Sequence, residues 1–281
     1  MKYQKCFLTT LLSLLVFIST SCTQKAPEEN LNWKLCIGSY TFKLFTFEEA
    51  LKKVDSLGVK YIEMATSQKI GAGIEGTTAY TMDEATQKSI LDLCSKYNIK
   101  ILSYGVINGK SEDDWETIFK FAKAMQIPTI LSEPKLEELD LVEKLADKYE
   151  VNVAIHNHAT PTKYWNPDTV AAAINNRSTR IGVCADIGHW VRSGLDPIES
   201  IKKLEGRILE FHFKDMNASV IDAHNVVWGT GVVDIKGVMQ EIKRQKYEGP
   251  FTVEYEYNWE NSVPDIRESL KNFRAFVKEL E

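Results

Sequence analysis

Eight short apolar runs punctuate the chain: KLCIGSY from residue 34, VKYIEM from 59, IKILSYG from 99, IPTILSE from 127, VNVAIHN from 151, RIGVCADIG from 180, RILEFHFKD from 207 and GPFTVEYEY from 249. Segments of helical period follow them, such as TFEEALKKVDSLG, MDEATQKSILDLCSKYN, EDDWETIFKFAKAMQ and LEELDLVEKLADKYE. The last, SVPDIRESLKNFRAFVKELE, has Ser262 placed to cap it and Pro264 in its first turn. No composition break, solenoid repeat or low-complexity stretch interrupts this rhythm. Near-continuous apolar strands alternating with helices mean a parallel sheet covered by helices. Eight such pairs predict closure into a single (β/α)8 TIM barrel over residues 33–281. A doubly wound open sheet is the alternative, but no strand-turn-helix here carries the glycine fingerprint of a nucleotide site.

The first residues break the pattern. MKYQKCFLTTLLSLLVFISTSC opens with Lys2 and Lys5, runs apolar from Phe7 to Ile18 and ends in small residues before Cys22. That predicts a secretory signal over residues 1–21. Cys22 is similar to the acceptor cysteine of a bacterial lipoprotein, although Ser19 stands where such signals usually carry leucine. Ordinary cleavage after Ser21 is the other reading. Residues 22–32 are expected to be a tether, and the protein to be exported to the periplasm and attached to the membrane only through a lipid on Cys22. No later apolar run reaches the ~20 residues of a spanning helix.

Charge and cysteines narrow the classes further. Removing residues 1–21 takes two lysines and no acid from a net charge of −5, leaving −7. A nucleic-acid partner is therefore excluded as an expectation, because phosphates call for a basic surface. Cys22, Cys36, Cys94 and Cys184 are too widely spaced for a disulfide framework or a CxxC metal site. Cys36 and Cys184 lie in apolar runs and are expected to be small buried side chains.

A barrel keeps its chemistry at the C-terminal ends of its strands. There the fourth run ends in Glu133, the fifth in His156 and His158, the sixth in Asp186 then His189, the seventh in His212, Lys214 and Asp215, and the eighth in Glu254 and Glu256. Four of the five histidines fall at such ends; His224 lies in a following loop. Because side chains alternate along a strand, His156 and His158 face the same way. Glu133, Asp186, Glu254 and Glu256 gather with only Lys214 to balance them, and crowded carboxylates require a compensating cation. A divalent ion supplies it, and Mn²⁺, Co²⁺, Fe²⁺, Zn²⁺ and Mg²⁺ all suit carboxylates mixed with imidazole. Taken singly, Glu210 or Glu256 reads as a barrel ion pair, and Asp215 as a cap for the next loop. Tyr40, Tyr104, Tyr164, Trp165, Trp190, Trp228 and Trp259 are expected around the mouth or packed in the core. WGTG, residues 228–231, reads as a loop approaching a ligand or as a turn.

CADIGHW, EFHFKD and FTVEYE resemble the last three strand ends of the xylose isomerase-like sugar isomerase/epimerase superfamily, with a likeness spanning roughly residues 33 to 281. The resemblance implies that Asp186, His212 and Glu254 hold a divalent metal and that His189 lies near substrate. The family's fourth ligand is a glutamate at the end of strand five, where this chain carries His156. Either His156 replaces it, or Glu133 supplies the carboxylate and His156 turns to substrate; the second is the expectation adopted. His158 matches a substrate-facing histidine of some relatives. The implied chemistry is removal of a proton next to a sugar carbonyl, through an enediolate stabilised by the metal, with His156, His158, His189, Lys214 and Glu256 as the acid-base set. Reprotonation elsewhere gives an isomerase or epimerase; loss of a β-leaving group gives a lyase. No phosphate cradle is visible, so an unphosphorylated saccharide is expected. SEP, HNH, ADIGHW and EYEYNW are also similar to an exported branch that includes lyases of 3-keto-glycosides, which eliminate the aglycone after a partner sugar dehydrogenase has made the ketone. A different class of answer is a metal-stabilised saccharide-binding lipoprotein without turnover. An endonuclease of the same fold is disfavoured by charge.

Overall fold

Each apolar run becomes a strand. In the computed structural model, which describes residues 25–280, these are β1 Lys34–Gly38, β2 Tyr61–Ala65, β3 Lys100–Gly105, β4 Thr129–Ser132, β5 Asn152–His156, β6 Ile181–Asp186, β7 Ile208–Phe213 and β8 Pro250–Val253. They pair in parallel in sequence order, and β1 closes the barrel on β8, with Lys34 opposite Pro250 and Ile37 opposite Val253. The expected (β/α)8 TIM barrel is the observed fold.

The outer layer comprises α1 Phe47–Ser56, α2 Glu84–Lys96, α3 Glu112–Ala124, α4 Leu139–Tyr149, α5 Pro167–Ile174, α6 Ile187–Arg192, α7 Pro197–Lys203, α8 Ile235–Arg244 and α9 Val263–Leu280. In α1, Phe47, Ala50, Leu51 and Val54 form one buried stripe. Burying each large side chain contributes about 1.5–3 kcal/mol relative to leaving it in water. Its start is fixed by a capping box: Thr46 Oγ1 accepts from the Glu49 amide at 3.3 Å, and Glu49 Oε2 accepts from the Thr46 amide at 2.8 Å. At the other end of the chain Phe273 of α9 packs among Trp33, Phe213 and Phe251, with ring centroids 5.2–6.0 Å apart.

Several details depart from the even rhythm. Two short helices, α6 and α7, follow β6. Antiparallel hairpins interrupt the units after β2 (Lys69–Gly71 with Ile74–Thr77) and after β7 (Asp215–Met216 with Asn225–Val226). Ser262 precedes α9, but its buried hydroxyl has no hydrogen-bond partner and caps nothing. Within the expected tether, Pro27–Leu31 forms a helical turn docked on α9, where Arg274 Nε meets Glu28 Oε1 at 3.0 Å. The signal segment and Cys22 lie outside the described residues. No described helix is long and apolar enough to cross a membrane.

Candidate active site

At the C-terminal mouth of the barrel four side chains converge: His156 from the end of β5, Asp186 from the end of β6, His212 from β7 and Glu254 just past β8. One donor atom from each lies within 4.8 Å of the others. Strand register sets this up, since Asp186 stands opposite His212 across the β6–β7 pair. Of the inward atoms, His156 Nε2 is buried without a hydrogen-bond partner, while Asp186 Oδ2 meets Lys214 Nζ at 2.9 Å and His212 Nδ1 meets Glu254 Oε2 at 3.0 Å. Their far sides are all held. His156 Nδ1 lies 3.1 Å from Glu133 Oε1, and His212 Nε2 lies 2.8 Å from Glu63 Oε2. Asp186 caps α6, its Oδ1 accepting from the His189 amide at 2.8 Å. An unpartnered buried polar atom costs about 1–3 kcal/mol, and His156 Nε2 lies among the donors of Asp186, His212 and Glu254, so a partner shared with them would satisfy it. Two imidazole nitrogens, each with a carboxylate on its far nitrogen, and two carboxylate oxygens fit a divalent cation.

Lys214 is the cation this chain itself provides. Its buried ammonium lies 2.9 Å from Asp186 Oδ2, 2.7 Å from Glu254 Oε2 and 2.5 Å from Glu256 Oε1. Gly188 lets α6 settle over it, because a Cβ there would meet Lys214 Cβ at 2.9 Å. Burial opposes the charge on Lys214, but Asp186, Glu254 and Glu256 overcome it and raise its pKa well above the usual lysine value. Burial likewise opposes ionisation of Asp186, and the Lys214 ammonium beside it reverses the balance, holding it well below the usual carboxylate range. His189 is pushed down to about 3 by burial and stays neutral.

Glu133 lies one residue past β4 and joins a second group with His156 and His158. Its Oε1 accepts from Nδ1 of both imidazoles. Burial would raise its pKa, but these bonds bring it down to about 2. Asn108 fixes the backbone that carries Glu133: its Oδ1 accepts from the Glu133 amide and from Ser132 Oγ, both at 2.8 Å. Between the two histidines, Asn157 faces the other way and clasps the Asp186 backbone, donating to its carbonyl at 3.0 Å and accepting from its amide at 2.9 Å. The HNH triplet thus delivers two imidazoles to the mouth and ties β5 to β6. A cleft of about 290 Å³ opens above them, lined by Tyr40, Thr66, Val106, His156, His158, His189, Glu254 and Glu256. That volume suits a small molecule of monosaccharide scale.

The other sequence expectations divide. Glu133, expected to complete the metal set, stands outside the four-residue group and grips the outer nitrogen of His156, which the structure places inside it. Asp215 organises a loop: its carboxylate accepts from the amides of Met216, Gly229, Gly231 and Val233 at 2.8–3.1 Å. WGTG is the turn wrapped around it, with Gly229 at φ +87° and no room for a Cβ at Gly231. Of the aromatics, Tyr40 lines the cleft and stacks edge-on against Trp259. Trp165 is half-buried, and Tyr104, Tyr164, Trp190 and Trp228 belong to the core. The hydroxyl of Tyr104 donates to the Thr78 carbonyl and that of Tyr164 to the Pro134 carbonyl, so neither is free for a ligand. His224 stacks on Tyr257 in the loop after β7. The sequence reading passed over Glu63 and Asn108. An acid in the middle of an apolar strand, as in YIEMA, was the available signal for Glu63. Glu210 is buried inside the barrel beside it, bonded to Ser103 and Thr252, and burial next to Glu63 raises its pKa to about 8.

Comparison with known proteins now bears on this geometry. Residues 51–276 match the xylose isomerase-like TIM barrel family. The chain belongs to that family. Among curated relatives, inosose dehydratase from Bacillus thuringiensis (strain Al Hakam) is 24% identical over 151 residues, covering 48% of this chain and 50% of the relative. The chain thus spans about half the length of the curated relatives it matches first. A crystal structure of an uncharacterized protein from Parabacteroides distasonis ATCC 8503 is 34% identical, covers 89% of this chain and 100% of its own, and superposes with a TM-score of 0.72. The probable 3-DHS dehydratase AsbF from Bacillus anthracis shares the fold at 14% identity, 85% and 98% coverage and a TM-score of 0.67. So does the IOLI protein with a bound zinc atom, at 17% identity, 88% and 98% coverage and a TM-score of 0.68.

Proposed function

We propose that this chain is a divalent-metal-dependent enzyme that removes a proton from the carbon next to the carbonyl of a small saccharide. One observation carries the reading. Two imidazole nitrogens and two carboxylate oxygens converge at the mouth, and a separate Glu133–His158 pair stands at the edge of the same cleft. His156, Asp186, His212 and Glu254 would hold the cation, so His156 takes the fourth position and Glu133 orients it. The ion would supply a Lewis acid for negative charge developing on substrate oxygen.

The remaining steps belong to the chain's own groups. Glu133 accepts the Nδ1 proton of His158 and leaves Nε2 as the basic nitrogen. The carboxylate also stabilises the imidazolium once a proton arrives, so His158 is the proton acceptor. His189 offers a buried, unpartnered Nδ1 for a substrate hydroxyl. Glu256, paired with Lys214 on the cleft wall, would act as a second proton carrier. Returning the proton to another carbon gives an isomer or epimer. Expelling a group from the β-carbon gives a lyase, a branch the dehydratase relatives support; elimination of the aglycone from a 3-keto-glycoside made by a sugar dehydrogenase would be one form of it. The proposal also keeps the protein outside the cytoplasm, anchored by a lipid on Cys22. Cys22→Ala should move it to the soluble fraction; unchanged partitioning would count against the anchor.

Metal-reconstituted protein assayed on free ketoses, aldoses and 3-keto-glycosides tests the activity. Turnover is expected on at least one class, and His158→Ala should lower it by ~10²–10⁴ while metal stays bound. Tight saccharide binding without product across all three classes would favour a non-catalytic binding lipoprotein.

A further inference from the structure

The donor set at the mouth has a chemical bias. We propose that His156 makes this a two-nitrogen, two-oxygen site that selects Co²⁺, Zn²⁺ or Fe²⁺ over Mn²⁺ and Mg²⁺. The inference rests on reading the four-residue group as the cation site. His156 and His212 contribute imidazole nitrogens, and Asp186 and Glu254 contribute one carboxylate oxygen each. Imidazole suits Zn²⁺, Co²⁺ and Fe²⁺, whereas Mg²⁺ and Mn²⁺ favour sites rich in oxygen.

Three features strengthen the bias. Glu133 accepts from His156 Nδ1, which fixes Nε2 as the lone-pair donor and keeps the Glu133 carboxylate out of the four-residue group. Lys214 sits 2.9 Å from Asp186 Oδ2 and 2.7 Å from Glu254 Oε2, diminishing the local negative charge on which a hard cation depends. The group that shares both imidazoles adds the sulfur of buried Cys184, not another carboxylate. A glutamate at position 156 would replace one nitrogen by oxygen and add a negative charge, reversing two of these effects.

Most nitrogen- or oxygen-donor sites bind Co²⁺ more tightly than Mn²⁺, so the test is a comparison between variants. Metal-free wild type and His156→Glu are dialysed against equimolar Co²⁺ and Mn²⁺, and bound metal is counted by elemental analysis. The Co²⁺:Mn²⁺ occupancy ratio should fall about tenfold or more in His156→Glu while the total stays near one ion per chain. An unchanged ratio with metal still bound would overturn the inference. Pulsed EPR of Cu²⁺-loaded wild type gives an answer that does not depend on the variant folding. Couplings from two imidazoles are expected, and a single imidazole would overturn the inference while leaving a metal-dependent enzyme intact. If Asp186→Asn retains as much metal as wild type, the ion lies elsewhere, and the reading of the site fails together with the inference.

Discussion

Asp186 and Asp215 are both fully buried at the same end of the barrel, one closing β6 and the other following β7. Their surroundings differ in kind. Four backbone amides converge on Asp215, so both of its oxygens serve the loop that returns toward α8. Asp186 gives one oxygen to the α6 cap and turns the other toward three imidazoles and an ammonium. Asp215 is satisfied by the backbone of its own loop, whereas the second oxygen of Asp186 faces ionisable side chains carried by other elements. A buried acid whose hydrogen bonds are complete within its loop is structural. One whose oxygen is turned into a cluster of ionisable side chains marks a candidate binding site.

Exchanging the two acids gives the largest expected effect. Asp186→Asn should lose metal by roughly 100-fold or more in affinity while keeping the α6 cap, because asparagine caps as well as aspartate. Asp215→Ala should do the reverse. Four amides lose their acceptor, at a cost of about 2–4 kcal/mol in denaturant unfolding, yet the folded fraction should bind metal as wild type does. Metal loss in both variants would erase the distinction.

A finer division lies inside the mouth. His156→Gln should weaken metal binding more than Glu133→Gln, because the first removes a donor and the second only its orientation. Glu63→Gln should cost about 10–100-fold in metal affinity, since Glu63 holds the far nitrogen of His212. The smallest change is expected for Gly231→Ala. Its Cβ would fall 2.3 Å from Asp215 Oδ1, so stability should drop by about 1–3 kcal/mol with metal binding unaltered.

The barrel was legible because both periods are strong: apolar runs of strand length alternate with helical stripes such as that of α1. The hairpins were not, since KIG and IEGT are too short to show a period, and α6 is a single-turn-scale helix hidden in ADIGHWVR. At the site, the strand-end rule located His156, Asp186, His212 and Glu254, since each falls at or just past the end of an apolar run. It said nothing of which nitrogen of His156 Glu133 would meet, because position along the chain does not specify which atoms touch between neighbouring strand ends. Glu63 was missed for a related reason: a mid-strand acid looks like a core exception until the opposing His212 is in view. For the aromatic residues the sequence left the mouth and the core both open, and Tyr104, Tyr164, Trp190 and Trp228 take the core, two of them with hydroxyls bonded to backbone carbonyls.

The central claim is that the mouth removes a proton from carbon. Metal-loaded protein incubated in D₂O with free ketoses and 3-keto-glycosides, followed by NMR, tests it most directly. Deuterium should enter the carbon next to the carbonyl of at least one substrate, and His158→Ala should slow that exchange with its metal content unchanged. A protein that holds its metal and binds saccharide, yet incorporates no deuterium and forms no product, would contradict the account.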